Sequence, residues 1–249
     1  MNTRSNILHR RGFTLVELLV VIAIIVVLAS LAFVGGNKAR KTAQRTVASG
    51  IAKNLMVANA SYYADNNGKY VPMWANDKSG VAKENWVNSR SFREALGTDI
   101  PDQGWDAFEI EETMVDPRIK SEAKGDRDKW SRLEHNWGMI APYPPGGWGT
   151  PFRVAQHTSA NVTDPTNMAA FASGADWILQ YSKRDALKDK QNFVGKEGQA
   201  MRYSHDGRAI VVYFDGHAES QRYEDLNRQW QNGGQENVFW GGPVSAKAE

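Results

Sequence analysis

Residues 10–17 read Arg-Arg-Gly-Phe-Thr-Leu-Val-Glu, and an almost unbroken apolar run continues from this octet to Val34. As a helix, the 22 residues from Phe13 to Val34 would measure about 33 Å, which is close to the thickness of the hydrocarbon core of a membrane. Glu17 is the one charged residue among them. Because a carboxylate in hydrocarbon is costly, an acid in such a position usually has a functional role. The sequence therefore predicts a membrane helix with a functional acid near its start.

The octet is similar to the processing site of type IV prepilins and of type II secretion pseudopilins. This resemblance implies that a prepilin peptidase cuts after Gly12 and that the new N-terminal residue, Phe13, is N-methylated. Glu17 then becomes the fifth residue of the mature chain, where the family places an acid that meets the amine of a neighbouring subunit. An ammonium and a carboxylate are each costly in lipid, and pairing them offsets much of that cost.

The same resemblance implies a set of partners. They are the prepilin peptidase and methylase, other copies of the chain or related pilin subunits, an inner-membrane assembly platform and membrane lipid. The net charge of the chain is +2, which does not suggest a nucleic-acid surface. The chain has no cysteine, so we expect an exported domain to be held by packing or by its neighbours in an assembly rather than by disulfide bonds.

Two other interpretations of the apolar run remain open. The first is a secretory signal peptide cleaved near Ser30-Leu31-Ala32, although the run is longer than the usual apolar core of about 7–15 residues. The second is a plain membrane anchor in which Glu17 reaches the near interface. A helix N-terminus also favours a nearby negative charge, so a simple dipole role for Glu17 is possible. The N-terminal residue of the mature chain would separate these interpretations.

A second helical pattern follows Gly35 and Gly36, a pair that would allow the helix to bend. Apolar residues then recur every three or four positions, as on one face of a helix; they are Ala39, Ala43, Val47, Ile51, Leu55, Ala58 and Tyr62. The turn-forming sequence Asp-Asn-Asn-Gly at residues 65–68 predicts the end of the helix. We expect the apolar stripe to pack on a sheet of the same chain. Residues 60–72 also resemble the helix exit of major pseudopilins.

The middle of the chain, residues 73–200, is the least informative part. Pro and Gly cluster in residues 142–151, which predicts an irregular surface loop. Short helices are predicted near Ser91–Leu96 and Ala175–Leu187. The scattered tryptophans either fill a core or bind glycans or exported cargo, and the first role is favoured because large aromatic side chains bury much area each. The region contains two isolated histidines, His135 and His157. Their spacing predicts no catalytic set.

Residues 201–222 hold the second informative pattern. Asp206-Gly207 and Asp215-Gly216 are two-residue hairpin signals, and a β-branched and aromatic stretch, Arg208–Phe214, lies between them. The pattern predicts a three-stranded antiparallel meander. Its middle strand is apolar on both faces, so we expect both faces to be covered, one of them by the long helix. A short helix is predicted at residues 223–230.

Nine residues separate His205 from Asp215-Gly216. This spacing resembles the H-X9-DG signature at the C-terminal end of a large group of prepilin-type proteins. We expect each Asp to cap its turn and His205 to hydrogen-bond to nearby backbone. A metal site of His205, Asp215 and His217 is disfavoured, because the strand would separate them by roughly 20 Å. No acidic cluster matches the calcium loop of major pseudopilins, so no calcium, other metal or cofactor is predicted.

These patterns predict an α+β, pilin-like fold in which a long N-terminal helix, half transmembrane and half amphipathic, packs on a small antiparallel β-sheet. The predicted segments are a cytoplasmic leader at residues 1–12, a transmembrane half-helix at 13–34, an amphipathic half-helix at 35–66, a variable Trp-rich region at 67–200, the meander at 201–222 and a C-terminal tail at 223–249.

The predicted function is structural rather than enzymatic. The chain would be a precursor cut by prepilin peptidase and held in the inner membrane by one span, with its C-terminal domain extracytoplasmic. It would then assemble into a type IV pilus or a type II secretion pseudopilus. The alternative is a membrane-tethered binding protein that uses the pilin-type leader for export and binds carbohydrate through its Trp-rich region.

Overall fold

The computed structural model describes residues 13–76, 82–98, 110–129, 131–140, 154–179, 198, 200–231 and 239. The helices are α1 (Leu15–Asp65), α2 (Arg90–Ala95), α3 (Pro117–Glu122) and α4 (Tyr223–Gln231). The strands are β1 (Trp74–Asn76), β2 (Ala82–Glu84), β3 (Trp137–Ile140), β4 (Val154–Ala155), β5 (Ala169–Ser173), β6 (Ile178–Leu179), β7 (Arg208–Tyr213) and β8 (Ala218–Arg222). The chain divides into two compact units, residues 1–42 and 43–249.

The first unit consists of the N-terminal part of α1. The helix continues without interruption through Gly35 and Gly36, so the glycine pair, which would allow a bend, does not end the helix. The large apolar side chains from Phe13 to Phe33 are 44–80% exposed. By length and composition, α1 is able to cross a membrane, and an uncovered apolar surface is what a lipid-facing segment presents.

The C-terminal end of α1 lies where the sequence predicted it. Asn67 and Gly68 adopt φ angles of 55° and 74°, in the left-handed region that commonly ends a helix. The N–H of Gly68 donates to the carbonyl of Tyr63 at 3.2 Å, which satisfies one of the last helical carbonyls. A change of direction is thereby fixed directly after Asp65.

The buried face of α1 begins later than the sequence predicted. Its buried residues recur at helical spacing; they are Ala48, Ile51, Ala52, Leu55, Met56, Ala58, Asn59 and Tyr62. The prediction was wrong for Ala39 and Ala43, which are exposed, and for Val47, which is 52% exposed. Full burial on α1 starts at Ala48, whereas Gln44 and Arg45 before it are half-buried and meet the second unit through polar contacts.

The main sheet has five strands in the order β6-β3-β5-β7-β8. Its pairs are antiparallel except β3 with β6, which is parallel. The α+β class is therefore confirmed, whereas the sheet is mixed rather than purely antiparallel. A second sheet has three antiparallel strands in the order β2-β1-β4.

The predicted meander is correct in its second half only. β7 and β8 form the predicted hairpin, and the turn at Asp206-Gly207 is present with φ angles of 57° and 74°. However, the residues before this turn do not pair with β7 as a strand. The place beside β7 is taken by β5, and the residues before the turn pair instead with the end of β5, where Met201 bridges Gly174 and the N–H of Arg202 donates to the carbonyl of Ser173.

The two faces of β7 are buried in different clusters, as the alternation predicted. Ile210 and Val212 belong to the cluster that contains the buried face of α1. Ala209 and Val211 belong to a second cluster that contains Leu226 of α4. A strand covered on both sides carries apolar residues at every position, which is the pattern read from the sequence.

The predictions for short helices have mixed outcomes. The helix near Ser91–Leu96 is confirmed by α2, and the helix at residues 223–230 is confirmed by α4. The helix at Ala175–Leu187 is wrong where it can be compared, since Ile178–Leu179 pairs with β3 as a strand. Residues 180–187 and the predicted loop at residues 142–151 lie outside the described residues.

β3 packs tightly against the segment that leads into β6, and Gly138 makes this possible. A Cβ atom at Gly138 would lie 2.6 Å from Cγ of Leu179 and closer still to the carbonyl oxygen of Asp176. The carbonyl of Asp176 is part of the backbone and cannot easily move aside, because β3 and β6 are held by their hydrogen bonds to neighbouring strands. Gly138 is thus a position where a methyl group forces the backbone to move.

Gly138→Ala is expected to lower the free energy of unfolding by about 1–3 kcal/mol, the usual cost of overpacking. Urea unfolding of the full chain in detergent micelles, followed by tryptophan fluorescence, would measure it. Gly50→Ala is the control, because nothing lies within 4 Å of a Cβ at that helical position. It is expected to be neutral or stabilising by up to about 1 kcal/mol. Equal stabilities of the two variants would contradict the packing argument.

Candidate functional site

The N-terminal segment places Thr14 and Glu17 in reciprocal contact at the start of α1. The Thr14 N–H and hydroxyl donate to Oε2 of Glu17 at 2.9 and 2.8 Å, and the N–H of Glu17 donates to Oγ1 of Thr14 at 3.2 Å. This arrangement is a capping box, which satisfies donors that the first turn of a helix leaves without a partner. Glu17 therefore has a contact within its own chain, which the sequence analysis did not predict. The signal was present, since Thr-x-x-Glu at residues 14–17 is the capping-box pattern.

The bond between Gly12 and Phe13 precedes the helix. Phe13 is not helical and is 75% exposed, and Gly12 lies outside the described residues. The predicted site residues Phe13 and Glu17 are four positions apart on one helix start. Phe13 and Glu17 thus lie in the first unit, whereas His205, Asp215 and Gly216 lie in the second unit.

His205 lies in a buried cluster of ionisable side chains that the sequence did not reveal. Its Nε2 donates to Oδ2 of Asp116 at 2.8 Å, and the two side chains are only 3% and 0% exposed. The other oxygen of Asp116, Oδ1, accepts the N–H of Arg118 at 2.8 Å, so Asp116 is the N-cap of α3. The prediction that the His205 side chain bonds to nearby backbone was wrong, because a carboxylate 89 residues away takes that position.

Two arginines and a second acid complete this cluster, which we call the Asp116 cluster: Asp116, Arg118, Glu122, Arg202 and His205. Burial lowers the pKa of Arg202 to about 10, although Asp116 and Glu122 oppose the fall. Burial also raises the pKa of Glu122, against the effect of Arg118 and Arg202. Nε of Arg118 pairs with Oε1 of Glu122 at 2.6 Å. Each buried charge thus has an opposite charge nearby, as burial requires.

The turn that follows His205 is fastened to α1. The N–H of His205 donates to the carbonyl of Arg208 at 3.1 Å across Asp206-Gly207, and both turn residues have positive φ, as in a type I′ turn. Arg45 of α1 forms an ion pair with Asp206 at 3.4 Å. His205 therefore lies where α1, the start of α3 and the start of β7 meet.

Asp215 and Gly216 lie at the opposite end of β7. The N–H of His217 donates to Oδ1 of Asp215 at 3.0 Å, so Asp215 caps its turn as predicted. The loop has three residues rather than two, because Tyr213 accepts from Gly216 and donates to His217, and Gly216 has a φ of 90°. A glycine in this conformation is typical of three-residue hairpin loops.

β7 separates His205 from Asp215 and His217, as the sequence predicted. Among the residues that the structure describes, no three His, Cys, Asp or Glu side chains are grouped so as to hold a metal ion. The chemistry of the Asp116 cluster is that of a buried structural ion network.

His157 is buried in the aromatic part of the core. Its Nε2 lies 3.2 Å from the carbonyl of Ile140, and its ring meets that of Phe214 edge-on, with 4.8 Å between the centroids. Burial lowers the pKa of His157 from 6.5 to about 4, and the bond to the Ile140 carbonyl opposes this only in part. The neutral imidazole is therefore the form that the fold accepts.

The described tryptophans that can be assessed lie in or against the core. Trp86 and Trp137 are fully buried, and Trp177 is partly buried against the same cluster. Nε1 of Trp86 donates to the carbonyl of Trp177 at 2.7 Å. Core packing is thus the observed role of Trp86 and Trp137. Three further tryptophans of the region predicted to bind carbohydrate lie outside the described residues: Trp105, Trp130 and Trp148.

His205→Ala is expected to lower the free energy of unfolding by about 2–4 kcal/mol, because it leaves the buried Asp116 carboxylate without one of its donors. Urea unfolding of the full chain in micelles would measure the loss. His217→Ala is the matched control, since it removes the His–Asp contact at the exposed end of β7 and should cost less than about 1 kcal/mol. Equal costs would show that burial of the first pair is unimportant.

Stability is expected to fall as the pH drops from about 6.5 to about 4, the unfolded and folded pKa values of His157. Between these two pH values, His157 binds a proton in the unfolded chain but not in the folded chain. The stability contributed by neutral His157 is therefore fully present above pH 6.5 and is lost as the pH falls toward 4. The loss amounts to about 3 kcal/mol at the lower limit. Unfolding curves at several pH values would be compared with those of His157→Gln. If both proteins have the same pH slope, His157 does not cause the loss.

The comparison with known families concerns the N-terminal segment. The prokaryotic N-terminal methylation motif matches residues 7–33. No curated protein and no solved structure matches the chain. The match covers Gly12, Phe13 and Glu17 but not residues 205–216, so the H-X9-DG resemblance stays a prediction. The chain therefore carries a prokaryotic N-terminal methylation motif, which supports a pilin-type leader.

Proposed function

We propose that the chain is a precursor of a filament subunit. Prepilin peptidase cuts it after Gly12, the new amine of Phe13 is methylated, and residues 13–34 hold it in the inner membrane. It then assembles into a type IV pilus or a type II secretion pseudopilus, with other copies or related pilin subunits as partners. The match of the methylation motif to residues 7–33, on an exposed apolar helix with one acid, is the observation that carries this proposal.

The geometry around the cleavage site is compatible with processing. The bond after Gly12 precedes the first helical residue, Leu15, so a peptidase would not have to unwind α1 to reach it. Cleavage would turn Phe13 into a chain end directly beside the capping box. The new ammonium would then lie near the helix N-terminus, where it is unfavourable with respect to the helix dipole. An acid close by reduces that cost.

The capping box leaves Glu17 able to serve a neighbour as well. Thr14 donates both of its hydrogen bonds to one oxygen, Oε2, whereas an ionised carboxylate can accept about four. The remaining capacity, on Oε1, could receive the Phe13 amine of an adjacent copy. In this proposal, Glu17 first orders its own helix start and then pairs with a second subunit in lipid.

The proposal assigns no catalytic role to the chain. The predicted alternative, a tethered carbohydrate-binding protein, has no described tryptophan surface in its favour, because Trp86 and Trp137 are buried. Binding of glycans by the purified chain remains the measurement that would favour it. Crosslinking between Phe13 regions of different copies would favour the filament.

Mass spectrometry of the mature N-terminus tests the processing step. The expected chain begins at Phe13 and carries one additional methyl group on its amine. A Gly12 variant with a bulky residue should retain the leader, since a small residue is needed before the cut. A mature chain that begins with Phe33, after Ser30-Leu31-Ala32, would mean signal-peptide cleavage. A chain that retains Met1 would mean a plain anchor.

Two substitutions at Glu17 separate its two proposed roles. Glu17→Gln keeps the capping box, because Gln is accepted there, but it removes the charge; Glu17→Ala removes both. Both variants are expected to be cleaved and methylated normally and to enter filaments at least about tenfold less well, a loss of about 1.4 kcal/mol. Sheared filament yield relative to total subunit would measure this. Normal assembly of Glu17→Gln together with poor assembly of Glu17→Ala would assign Glu17 to helix capping alone.

A further inference from the structure

Three basic side chains follow the apolar run within a single turn of α1. We call them the basic collar: Lys38, Arg40 and Lys41. All three are exposed, and all belong to the first compact unit. The sequence has no acidic residue between Glu17 and Asp65. The collar therefore adds three positive charges to a stretch of sequence that contains no acid.

The position of the collar along the helix matches the headgroup layer of a membrane. At 1.5 Å per residue, its Cα atoms lie about 6–11 Å beyond Val34, the end of the apolar run. The polar layer on each side of a bilayer is about 5–8 Å thick. Long basic side chains can also extend back along a helix to reach this layer. The ammonium and guanidinium groups can thus be placed at the depth of lipid phosphates.

The position of the collar around the helix favours lipid over a protein partner. Successive residues of an α-helix are rotated by about 100°, which places Arg40 nearly opposite Lys38. Lys41 lies on the side of Lys38. A partner protein would contact one face, whereas lipid headgroups surround a spanning helix on every side. Basic groups on opposite sides therefore suit lipid.

The collar also opposes the usual signal for membrane orientation. Basic residues are enriched on the cytoplasmic flank of a span, where the leader carries Arg4, Arg10 and Arg11. The collar and Arg45 place a comparable charge on the other flank. Basic residues on this flank are better tolerated when they make a favourable interaction of their own there.

We propose that the basic collar binds anionic phospholipid headgroups of the membrane that anchors α1. The bond is electrostatic, between lipid phosphates and the Lys38, Arg40 and Lys41 side chains, and it fixes the depth of the helix before assembly. Each basic side chain near an anionic membrane surface changes the binding equilibrium by about fivefold. The inference rests on the membrane anchoring in the proposed function and not on cleavage or filament assembly.

The absence of cysteine in the chain allows a direct measurement. Asn37→Cys accepts a donor dye beside the collar in the full chain, which is then placed in phosphatidylcholine vesicles with a trace of acceptor-labelled phosphatidylglycerol or acceptor-labelled phosphatidylcholine. Energy transfer to the anionic lipid is expected to exceed transfer to the neutral lipid by about twofold or more at low salt. The excess should disappear near 1 M salt, where the screening length is about 3 Å.

The variant Lys38→Gln, Arg40→Gln, Lys41→Gln is expected to transfer equally to both lipids. Its matched control is Lys53→Gln, Lys69→Gln, Lys124→Gln, which removes the same charge from exposed positions elsewhere and should keep the preference. Flotation with the vesicles is measured first, so failed anchoring, which would also sink the proposed function, is told apart from absent lipid preference. Equal transfer by the parent protein, or a preference kept by the collar variant, would overturn the proposal. A preference seen only at high protein density would assign the collar to contacts between copies and overturn it too.

Discussion

The second unit depends on one strand being buried on both of its faces. Ile210 and Val212 share a cluster with α1, while Ala209 and Val211 share another with α4. Removing apolar area from water is the main favourable term in folding, and here β7 takes part in both of the larger clusters. Because a shift of one residue would exchange its faces, both ends of β7 have to be held in register. The turns at Asp206-Gly207 and Asp215-Gly216 are the two places where this occurs.

The ends of β7 are held in different ways. At the buried end, His205 contacts Asp116, and Arg45 contacts Asp206. At the exposed end, Asp215 accepts from His217, and the N–H of Asp215 donates to Pro165 at 3.1 Å. The nine residues between His205 and Asp215 are the length of a strand with its turn residues. His205 and Asp215 therefore lie at opposite ends of one strand, each beside a turn.

Local signals in the sequence were sufficient for several elements. Asp-Asn-Asn-Gly predicted the end of α1, and the alternation of residues 208–214 predicted both buried faces of β7. Contacts between residues far apart in the sequence could not be predicted from these local patterns. The Asp116–His205 pair joins residues 89 positions apart, and the start of the buried stripe at Ala48 depends on what covers the helix. At the N-terminal site, Gly12, Phe13 and Glu17 are predicted through family resemblance alone, whereas the Thr14–Glu17 capping box also has a local signal in Thr-x-x-Glu.

The long sequence separations within the core have a consequence for biosynthesis. Arg45 and His205 are 160 residues apart, and the apolar face that begins at Ala48 is sealed by β7, close to the C-terminus. Contacts of this kind form slowly, since a long loop must close before they are gained. A nascent chain therefore lacks part of the cover of this helix face until β7 has been synthesised. A chain that terminates before residue 214 would leave apolar core residues exposed to solvent, and cellular proteases can recognise such exposed apolar segments.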